Sequence, residues 1–187
     1  MSTSTLLETI KIKNGKIAHL SYHQKRSALS QKALYGIDQP LELATIIHPP
    51  KTGRWKIKTL KMVTSSISCT FKYADRSALN DLLTSNENYD EVLIIKNGYI
   101  TDTTISNIAL FEDGVWYTPT DPLLKGTVRQ RLLDEGFLHT RAIKSEQIAN
   151  YTQVALMNAM LGFKVLNDLQ IVDLEGKTHD YESFTDS

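Results

Sequence analysis

One lysine of this chain stands where an amine could do chemistry. Lys72 follows the apolar end of a segment and comes directly before a stretch with helical spacing. Most lysines are solvated surface amines. An amine that attacks a carbonyl group must spend time unprotonated, which requires partial burial or a neighbouring cation. Arg76 lies one helical turn further on, so Lys72 is a candidate nucleophile.

A carboxylate at a polar strand end is the second candidate. Asp102 closes the run Gly98-Tyr99-Ile100-Thr101-Asp102 and is followed by threonine, serine and asparagine side chains. A carboxylate there can keep a pyridine nitrogen protonated, which makes the ring an electron sink. An isolated aspartate at a strand end more commonly forms an Asx turn. Both interpretations are open at this point.

Two further groups suit a phosphate. Gly126 and Thr127 lie at the mouth of a predicted helix, where free backbone N–H groups and the helix dipole favour an anion. Arg26 lies near the centre of an earlier predicted helix, with His23 one turn before it. A guanidinium can grip a phosphate through two N–H groups. The alternatives are an ordinary helix start and a solvated arginine.

The elements that must position these residues begin with a predicted hairpin and helix. Residues 6–13 alternate apolar and polar side chains, Asn14-Gly15 is typical of a tight hairpin turn, and residues 16–20 can pair back. Ser21 is the predicted N-cap of the following helix, and Gly36 is its predicted C-terminal stop. This pattern predicts an amphipathic helix of about four turns.

The rest of the chain alternates strand and helix signals. Helices are predicted at 74–83 and 127–135, and strands at 41–48, 55–63, 91–96, 99–101, 107–112, 115–117 and 153–158. The Asn97-Gly98 and Asp113-Gly114 turns predict that hairpins dominate over βαβ crossovers in the second part of the chain. We therefore expect an α+β fold, with a small N-terminal lobe at 1–65 and a larger C-terminal lobe at 66–187.

Composition excludes several classes of protein. The 187 residues include 21 Lys and Arg and 21 Asp and Glu, so the formal charge is zero and no basic surface is indicated for nucleic acid. Cys69 is the only cysteine, which rules out an internal disulfide and argues against a cysteine-based metal site. No segment approaches the roughly 18 apolar residues of a membrane span. We expect a soluble, unprocessed, cytoplasmic protein that uses no metal and contacts no membrane.

The four groups of candidate residues, around Lys72, Asp102, Gly126 and Arg26, together resemble those of the class IV aminotransferases. This family includes branched-chain aminotransferase, D-amino acid aminotransferase and 4-amino-4-deoxychorismate lyase. In that family a hairpin of the form F-E-T-I-R leads to a helix with H-x-x-R, and here LLETIKIKNG leads to His23-Gln24-Lys25-Arg26. The later family segments are G-x-V-T-E, S-N-I-F, D-G-x-x-Y-T-P and G-I-T-R. Their counterparts in this chain are residues 98–102, 106–108, 113–119 and 126–129.

The resemblance implies a two-lobed enzyme of the D-amino acid aminotransferase-like fold that uses pyridoxal 5′-phosphate, with a reduced N-terminal lobe. It implies that Lys72 is the Schiff-base lysine and the catalytic residue. Arg26 would bind the cofactor phosphate, and Asp102 would face the pyridine nitrogen. Relatives in this family are homodimers, so we expect a homodimer here.

The resemblance also assigns the helix mouth and a late strand end. The amides of Thr127 and Val128, behind Gly126, would hold the phosphate. Asn158 and Ala159 match a segment that borders the substrate in relatives, although a strand-end amide that makes turn bonds explains Asn158 equally well.

Three departures from the family pattern matter. Asp102 stands where the family places glutamate, so the carboxylate is one methylene shorter. Val128 replaces a frequent threonine, which removes a hydroxyl from the phosphate site. The stretch before Lys72 is shorter than in most relatives, so residues that cover the substrate cannot be mapped.

The resemblance leaves three functions open. The short chain and the segments around Lys72 and Asn158 favour an aminodeoxychorismate lyase of folate biosynthesis, which eliminates pyruvate to give 4-aminobenzoate. The alternative is an aminotransferase acting on branched-chain or D-amino acids, and in either case the substrate is a small amine or amino acid. A non-catalytic binding protein that keeps the fold is the alternative from another class.

Overall fold

The computed structural model of the chain describes residues 6, 8–13, 16–39, 41, 43, 56–67, 71–72 and 74–182. The predicted Asn14-Gly15 turn, most of the predicted strand at 41–48 and Cys69 lie outside the described residues.

The chain begins with a short hairpin and a long helix, as the sequence predicted. Strand β1 (Ile12–Lys13) pairs antiparallel with β2 (Lys16–Ile17), and helix α1 spans Leu20–Tyr35. The prediction of Ser21 as N-cap is wrong. His19 takes that position with a φ of 55°, and its carbonyl accepts hydrogen bonds from the amides of the next turn. At the other end Gly36 stops the helix with a φ of 68°, as predicted.

The rest of the chain forms short strands, two more helices and one 3₁₀ helix. The helices are α2 (Ser77–Thr84) and α3 (Thr127–Asp134), and the 3₁₀ helix is Ser145–Asn150. The strands in chain order are β3 (Thr59–Thr64), β4 (Glu91–Lys96), β5 (Tyr99–Thr103), β6 (Asn107–Glu112), β7 (Val115–Pro119), β8 (Leu138–Arg141), β9 (Gln153–Asn158), β10 (Gly162–Leu166), β11 (Leu169–Val172) and β12 (Thr178–Tyr181).

These ten strands make one mixed sheet. Its main path runs β10-β9-β6-β5-β4-β3-β11-β12, while β7 pairs with β6 and β8 pairs with β7. Hairpins join β4 to β5, β5 to β6, β6 to β7, β9 to β10 and β11 to β12. Two parallel pairs, β3 with β4 and β7 with β8, are crossovers through α2 and α3. The predicted α+β class is confirmed, and hairpins outnumber crossovers as expected.

Strand β4 shows why the sheet is stable. Its sequence, EVLIIK, is apolar without alternation, which suits a strand that is covered on both faces. Leu93 and Ile95 point into the main core, whereas Val92 and Ile94 pack beneath α2. All four side chains are fully buried.

Strand β3 is an interior strand. It pairs in parallel with β4 on one side and with β11 on the other. The expected lobe boundary near residue 65 follows β3 directly, so the hydrogen bonds of β3 attach it to the sheet of the larger lobe. The division into lobes at 1–65 and 66–187 stays a prediction. Among the described helices, none has the length and apolar character needed to cross a membrane.

The interior position of β3 predicts a large cost for truncating one of its side chains. Leu60 is fully buried in the main core. Leu60→Ala should lower the free energy of unfolding by about 2–5 kcal/mol, because it removes buried methyl groups and leaves a cavity. Urea unfolding monitored by circular dichroism measures this change. The matched control is Leu29→Ala, since Leu29 on α1 is 61% exposed and should cost less than about 1 kcal/mol. Equal costs for the two variants would contradict the interior placement of β3.

Candidate active site

The predicted site residues meet in one cleft. It is an open space of about 780 Å³ where α1, the segment before α2, the β5–β6 turn, the start of α3 and the end of β9 come together. Seven of the eight predicted residues line it: Arg26, Lys72, Asp102, Gly126, Thr127, Asn158 and Ala159. The side chain of Val128 instead packs into a small apolar cluster under α3. Residues far apart in the chain therefore converge as the sequence indicated.

Lys72 lies in the segment before α2 and is half-buried in the cleft. Burial lowers the pKa of its amine to about 8, and the positive charges of Arg26 and Arg76 act in the same direction, while Glu8 opposes them. At pH 7 about a tenth of such amines are unprotonated, whereas an ordinary lysine is almost wholly protonated. Lys72 can therefore act as a nucleophile or accept a proton near neutral pH.

Arg26 reaches the cleft from α1, where Glu8 holds its guanidinium. The Arg26 Nε donates to one oxygen of Glu8 at 2.8 Å, and a second N–H of Arg26 reaches the other oxygen. His23 Nδ1 lies 2.9 Å from that same carboxylate. Burial alone would raise the pKa of Glu8, but the bonds from His23 and Arg26 outweigh it and the pKa of Glu8 is lowered. The arginine is thus fixed in the cleft by a bidentate ion pair.

Glu8 is a residue of the candidate site that the sequence alone did not predict. It is the glutamate of the LLETI segment, which matches the F-E-T-I-R hairpin of the family. The H-x-x-R spacing on α1 places His23 and Arg26 one turn apart on the same face, and such a pair calls for a carboxylate opposite. That requirement was the available signal.

Asp102 is a buried carboxylate fixed by two donors. The side-chain amide of Asn107 donates to one oxygen at 2.8 Å, and the backbone N–H of Leu124 donates to the other at 2.9 Å. The same amide nitrogen of Asn107 also donates to the Leu124 carbonyl at 2.8 Å. Burial raises the pKa of Asp102 to about 6, although these hydrogen bonds oppose the rise. A cationic group placed beside Asp102 would be strongly favoured.

Gly126 and Thr127 form the mouth of α3 with a very close approach. A Cβ atom on Gly126 would lie 2.1 Å from the side-chain oxygen of Asn107, so only glycine fits there. The hydroxyl of Thr127 is buried and has no hydrogen-bond partner among the described residues. A buried hydroxyl left unpaired costs about 1–3 kcal/mol. The Thr127 hydroxyl and the first backbone amides of α3 can therefore form hydrogen bonds to an anion.

Asn158 is the last residue of β9, and its side chain forms hydrogen bonds with two neighbouring turns. Its side-chain nitrogen donates to Ser106 Oγ at 2.9 Å and to the Ile105 carbonyl at 3.2 Å, and its oxygen accepts from the amides of Met160 and Leu161. A direct bond from Asn158 to a substrate would have to replace one of these. Ala159 follows in the same turn and lines the cleft without polar atoms in its side chain.

In the part of the chain that the structure describes, no three His, Cys, Asp or Glu side chains are grouped so that they could bind a metal ion.

The raised pKa of Asp102 predicts a pH-dependent contribution to stability. Its folded pKa of about 6 exceeds the ordinary value of 3.8, so the folded state binds more protons than the unfolded state between those values. The carboxylate therefore costs stability as the pH rises from about 4 to 6. Asp102→Asn removes this dependence. Without added ligand, the stability of the wild type relative to Asp102→Asn should fall by up to about 3 kcal/mol between pH 4 and pH 7.

Urea unfolding at pH 4, 5, 6 and 7 measures that difference. Asp113→Asn serves as the control, because Asp113 lies in an exposed turn. A difference between wild type and Asp102→Asn that stays constant over the whole pH range would refute the cost assigned to the buried carboxylate.

Comparisons with known proteins agree with this geometry. The family model for amino-transferase class IV matches residues 66–165. An uncharacterised protein of Haemophilus influenzae is 34% identical, over 84% of this chain and 98% of that protein. A protein of Schizosaccharomyces pombe provisionally named aminodeoxychorismate lyase is 30% identical, over 49% of this chain and 44% of its own length.

A solved structure extends the likeness to the fold. The crystal structure of a protein from Haemophilus somnus 129PT, provisionally identified as a 4-amino-4-deoxychorismate lyase, aligns with a TM-score of 0.79 and 31% identity. The alignment covers 87% of this chain and 99% of that one. The chain therefore belongs to the amino-transferase class IV family, the group of pyridoxal phosphate-dependent lyases and aminotransferases whose motifs its sequence carries.

Proposed function

We propose that the cleft binds pyridoxal 5′-phosphate through Lys72 and that the chain is an aminodeoxychorismate lyase, which eliminates pyruvate and releases 4-aminobenzoate. One observation carries the proposal. A lysine with a lowered pKa, a buried carboxylate and a helix mouth with an unpaired hydroxyl all line the same cleft. Those are the three features that this cofactor requires of a protein: an amine, a partner for its ring nitrogen and an anion site.

The phosphate fits the mouth of α3. The amides of Thr127 and Val128 lie in the first turn of the helix, where the backbone N–H groups have no partner within the helix. The buried hydroxyl of Thr127 would gain the hydrogen bond it lacks. Arg26 lines the same cleft and would supply the counter-charge. Val128 contributes only its amide, because its side chain packs in the apolar cluster under α3.

Asp102 would hold the proton on the ring nitrogen. When bound, the cofactor supplies an electron sink that stabilises negative charge on the substrate carbon. Burial disfavours the negative charge of the Asp102 carboxylate. A protonated ring nitrogen beside it would compensate that charge and lower the pKa of Asp102 again. Asn107 and Leu124 already hold both carboxylate oxygens in place. The shorter aspartate can serve because its position is fixed rather than flexible.

Lys72 would carry the proton transfers. Its pKa of about 8 allows the amine to take a proton from the substrate carbon and to return it at a later step. The leaving group then departs from the neighbouring carbon. Elimination rather than amino transfer is supported by two relatives of this chain, the Haemophilus somnus and Schizosaccharomyces pombe proteins, both provisionally named as lyases of this type. The homodimer and the cytoplasmic location expected from the sequence stay predictions.

Substitution of Lys72 tests the reaction. Purified wild type, incubated with pyridoxal phosphate, should absorb in the visible range, and borohydride should bleach that band and leave a pyridoxyl group on the Lys72 peptide. With aminodeoxychorismate it should release equal amounts of pyruvate and 4-aminobenzoate. Lys72→Ala should lose the fixed label and lower the rate by about 10²–10⁴-fold or more. Lys164→Ala, at an exposed position on β10, is the control.

The competing functions give distinct results in the same assays. If a keto acid such as pyruvate forms only in the assay with an amino acid plus 2-oxoglutarate, the lyase activity is refuted. That result would favour an aminotransferase acting on branched-chain or D-amino acids. A protein that takes up the cofactor but turns over neither substrate would be a binding protein. A protein that stays colourless with added pyridoxal phosphate would remove the cofactor from the proposal.

Substitution of Arg26 tests the phosphate site. Arg26→Gln should weaken the binding of pyridoxal phosphate by about 10–100-fold, because a charge-assisted hydrogen bond contributes about 1.5–3 kcal/mol. Fluorescence titration of the cofactor-free protein measures this. Lys25→Gln removes the same charge from the neighbouring, exposed position of α1 and should have little effect. Thermal unfolding of each variant shows whether Glu8, left without its partner, has disturbed the fold. Equal cofactor affinity in a folded Arg26→Gln protein would count against this site.

A further inference from the structure

Arg76 is a cation in the cleft to which the proposed function gives no ligand. It stands at the N-cap of α2, four residues after Lys72, and lines the same cleft. One terminal nitrogen donates to the Thr104 carbonyl at 2.6 Å. The positive end of a helix dipole is an unfavourable place for a cation. The exposed Asp75 accepts a hydrogen bond from the Ser77 amide, and its negative charge offsets part of the positive potential of the helix end.

No described carboxylate neutralises Arg76 directly. Arg26, in contrast, has Glu8 as an ion-pair partner. The acidic side chain whose charge acts on Arg76 is Glu91, and within the described residues the two form no ion pair. Glu91 is buried, and burial raises the pKa of its carboxyl group. Arg76 thus brings to the cleft a positive charge that is in an ion pair with none of the described carboxylates.

Glu91 instead holds the group that orients Arg76. Both of its oxygens lie within 2.9 Å of the Thr104 hydroxyl, and one of them also accepts from the Thr104 amide at 3.3 Å. Thr104 is thereby fixed, and its carbonyl holds one end of the Arg76 guanidinium. Within the described part of the chain, the Thr104 carbonyl is the one hydrogen-bond acceptor for Arg76. The other N–H groups of its planar guanidinium can therefore reach an anion there.

We propose that Arg76 binds a carboxylate group of the substrate. The proposal rests on the proposed function, in which Arg26 serves the phosphate and Lys72 the reacting carbon. The opposite charges of Arg76 and the substrate carboxylate then position the substrate amine beside Lys72. In the lyase reaction the product 4-aminobenzoate keeps its carboxylate, so it is a direct probe of this site.

The experiment compares a charged ligand with a neutral ligand of nearly the same shape. The dissociation constants of 4-aminobenzoate and 4-aminobenzamide are measured by calorimetry for the wild type, Arg76→Gln, Arg76→Lys and Lys164→Gln, each loaded with pyridoxal phosphate. Arg76→Gln should weaken 4-aminobenzoate by about 10–100-fold and change 4-aminobenzamide by less than about threefold. Arg76→Lys should recover part of the loss, and Lys164→Gln, which removes an exposed charge on β10, should resemble the wild type.

Three results would overturn the assignment. Equal weakening of both ligands by Arg76→Gln would mean that charge is not recognised there. A loss of pyridoxal phosphate affinity as large as that of Arg26→Gln would place Arg76 at the phosphate instead. Absence of measurable 4-aminobenzoate binding by the wild type would leave no carboxylate site.

Failure of the proposed function is seen separately. If the wild type takes up no pyridoxal phosphate, the same titrations on the unloaded protein still report whether Arg76 selects the carboxylate. Thermal unfolding of Arg76→Gln and Arg76→Lys checks that the Thr104 turn has not been lost, and Arg76→Lys keeps the charge if the glutamine variant is unstable.

Discussion

The cleft depends on one buried carboxylate and the amide that holds it. A carboxylate removed from water is costly unless donors surround it. Asp102 meets that requirement through Asn107 and Leu124, which belong to β6 and to the loop that leads into α3. The nitrogen of Asn107 bonds to Asp102 and to the Leu124 carbonyl at once. This small network therefore fixes the end of β5, the start of β6 and the approach to the helix mouth relative to one another.

The two arginines of the cleft differ in whether a carboxylate neutralises their charge. Glu8 grips Arg26 in a bidentate pair, so that arginine is positioned before any ligand arrives. The positive charges of Arg26 and Arg76 add to burial in favouring the neutral form of Lys72. Arg76 has no such carboxylate in direct contact within the described residues. The cleft therefore holds one arginine that is fixed by a carboxylate and another that has no described carboxylate in contact.

Sequence reasoning located most of the cleft because its residues lie in local motifs at strand ends and helix starts. Asp102 and Thr127 could be found that way, since each belongs to a turn signal followed by a recognisable element. Glu8 could not, because its importance comes from Arg26, which lies 18 residues further along the chain and faces it only after α1 has formed. The sequence did not predict His19 as the N-cap of α1 for a similar reason. Its left-handed backbone is set by the turn after β2, and its side chain makes no capping hydrogen bond that would indicate the position.

The pairing of β3 was the other feature beyond the reach of local patterns, and it has a consequence for how the protein is made. β3 lies between β4 and β11, and Thr59 is paired with Gln170. Parallel neighbours of this kind must be joined across long stretches of chain, which slows their formation. During synthesis β3 and β4 can meet early, but the far edge of β3 stays uncovered until the last part of the chain leaves the ribosome. An uncovered strand edge can pair with other chains, so the pairing of β11 also protects β3 against association between molecules.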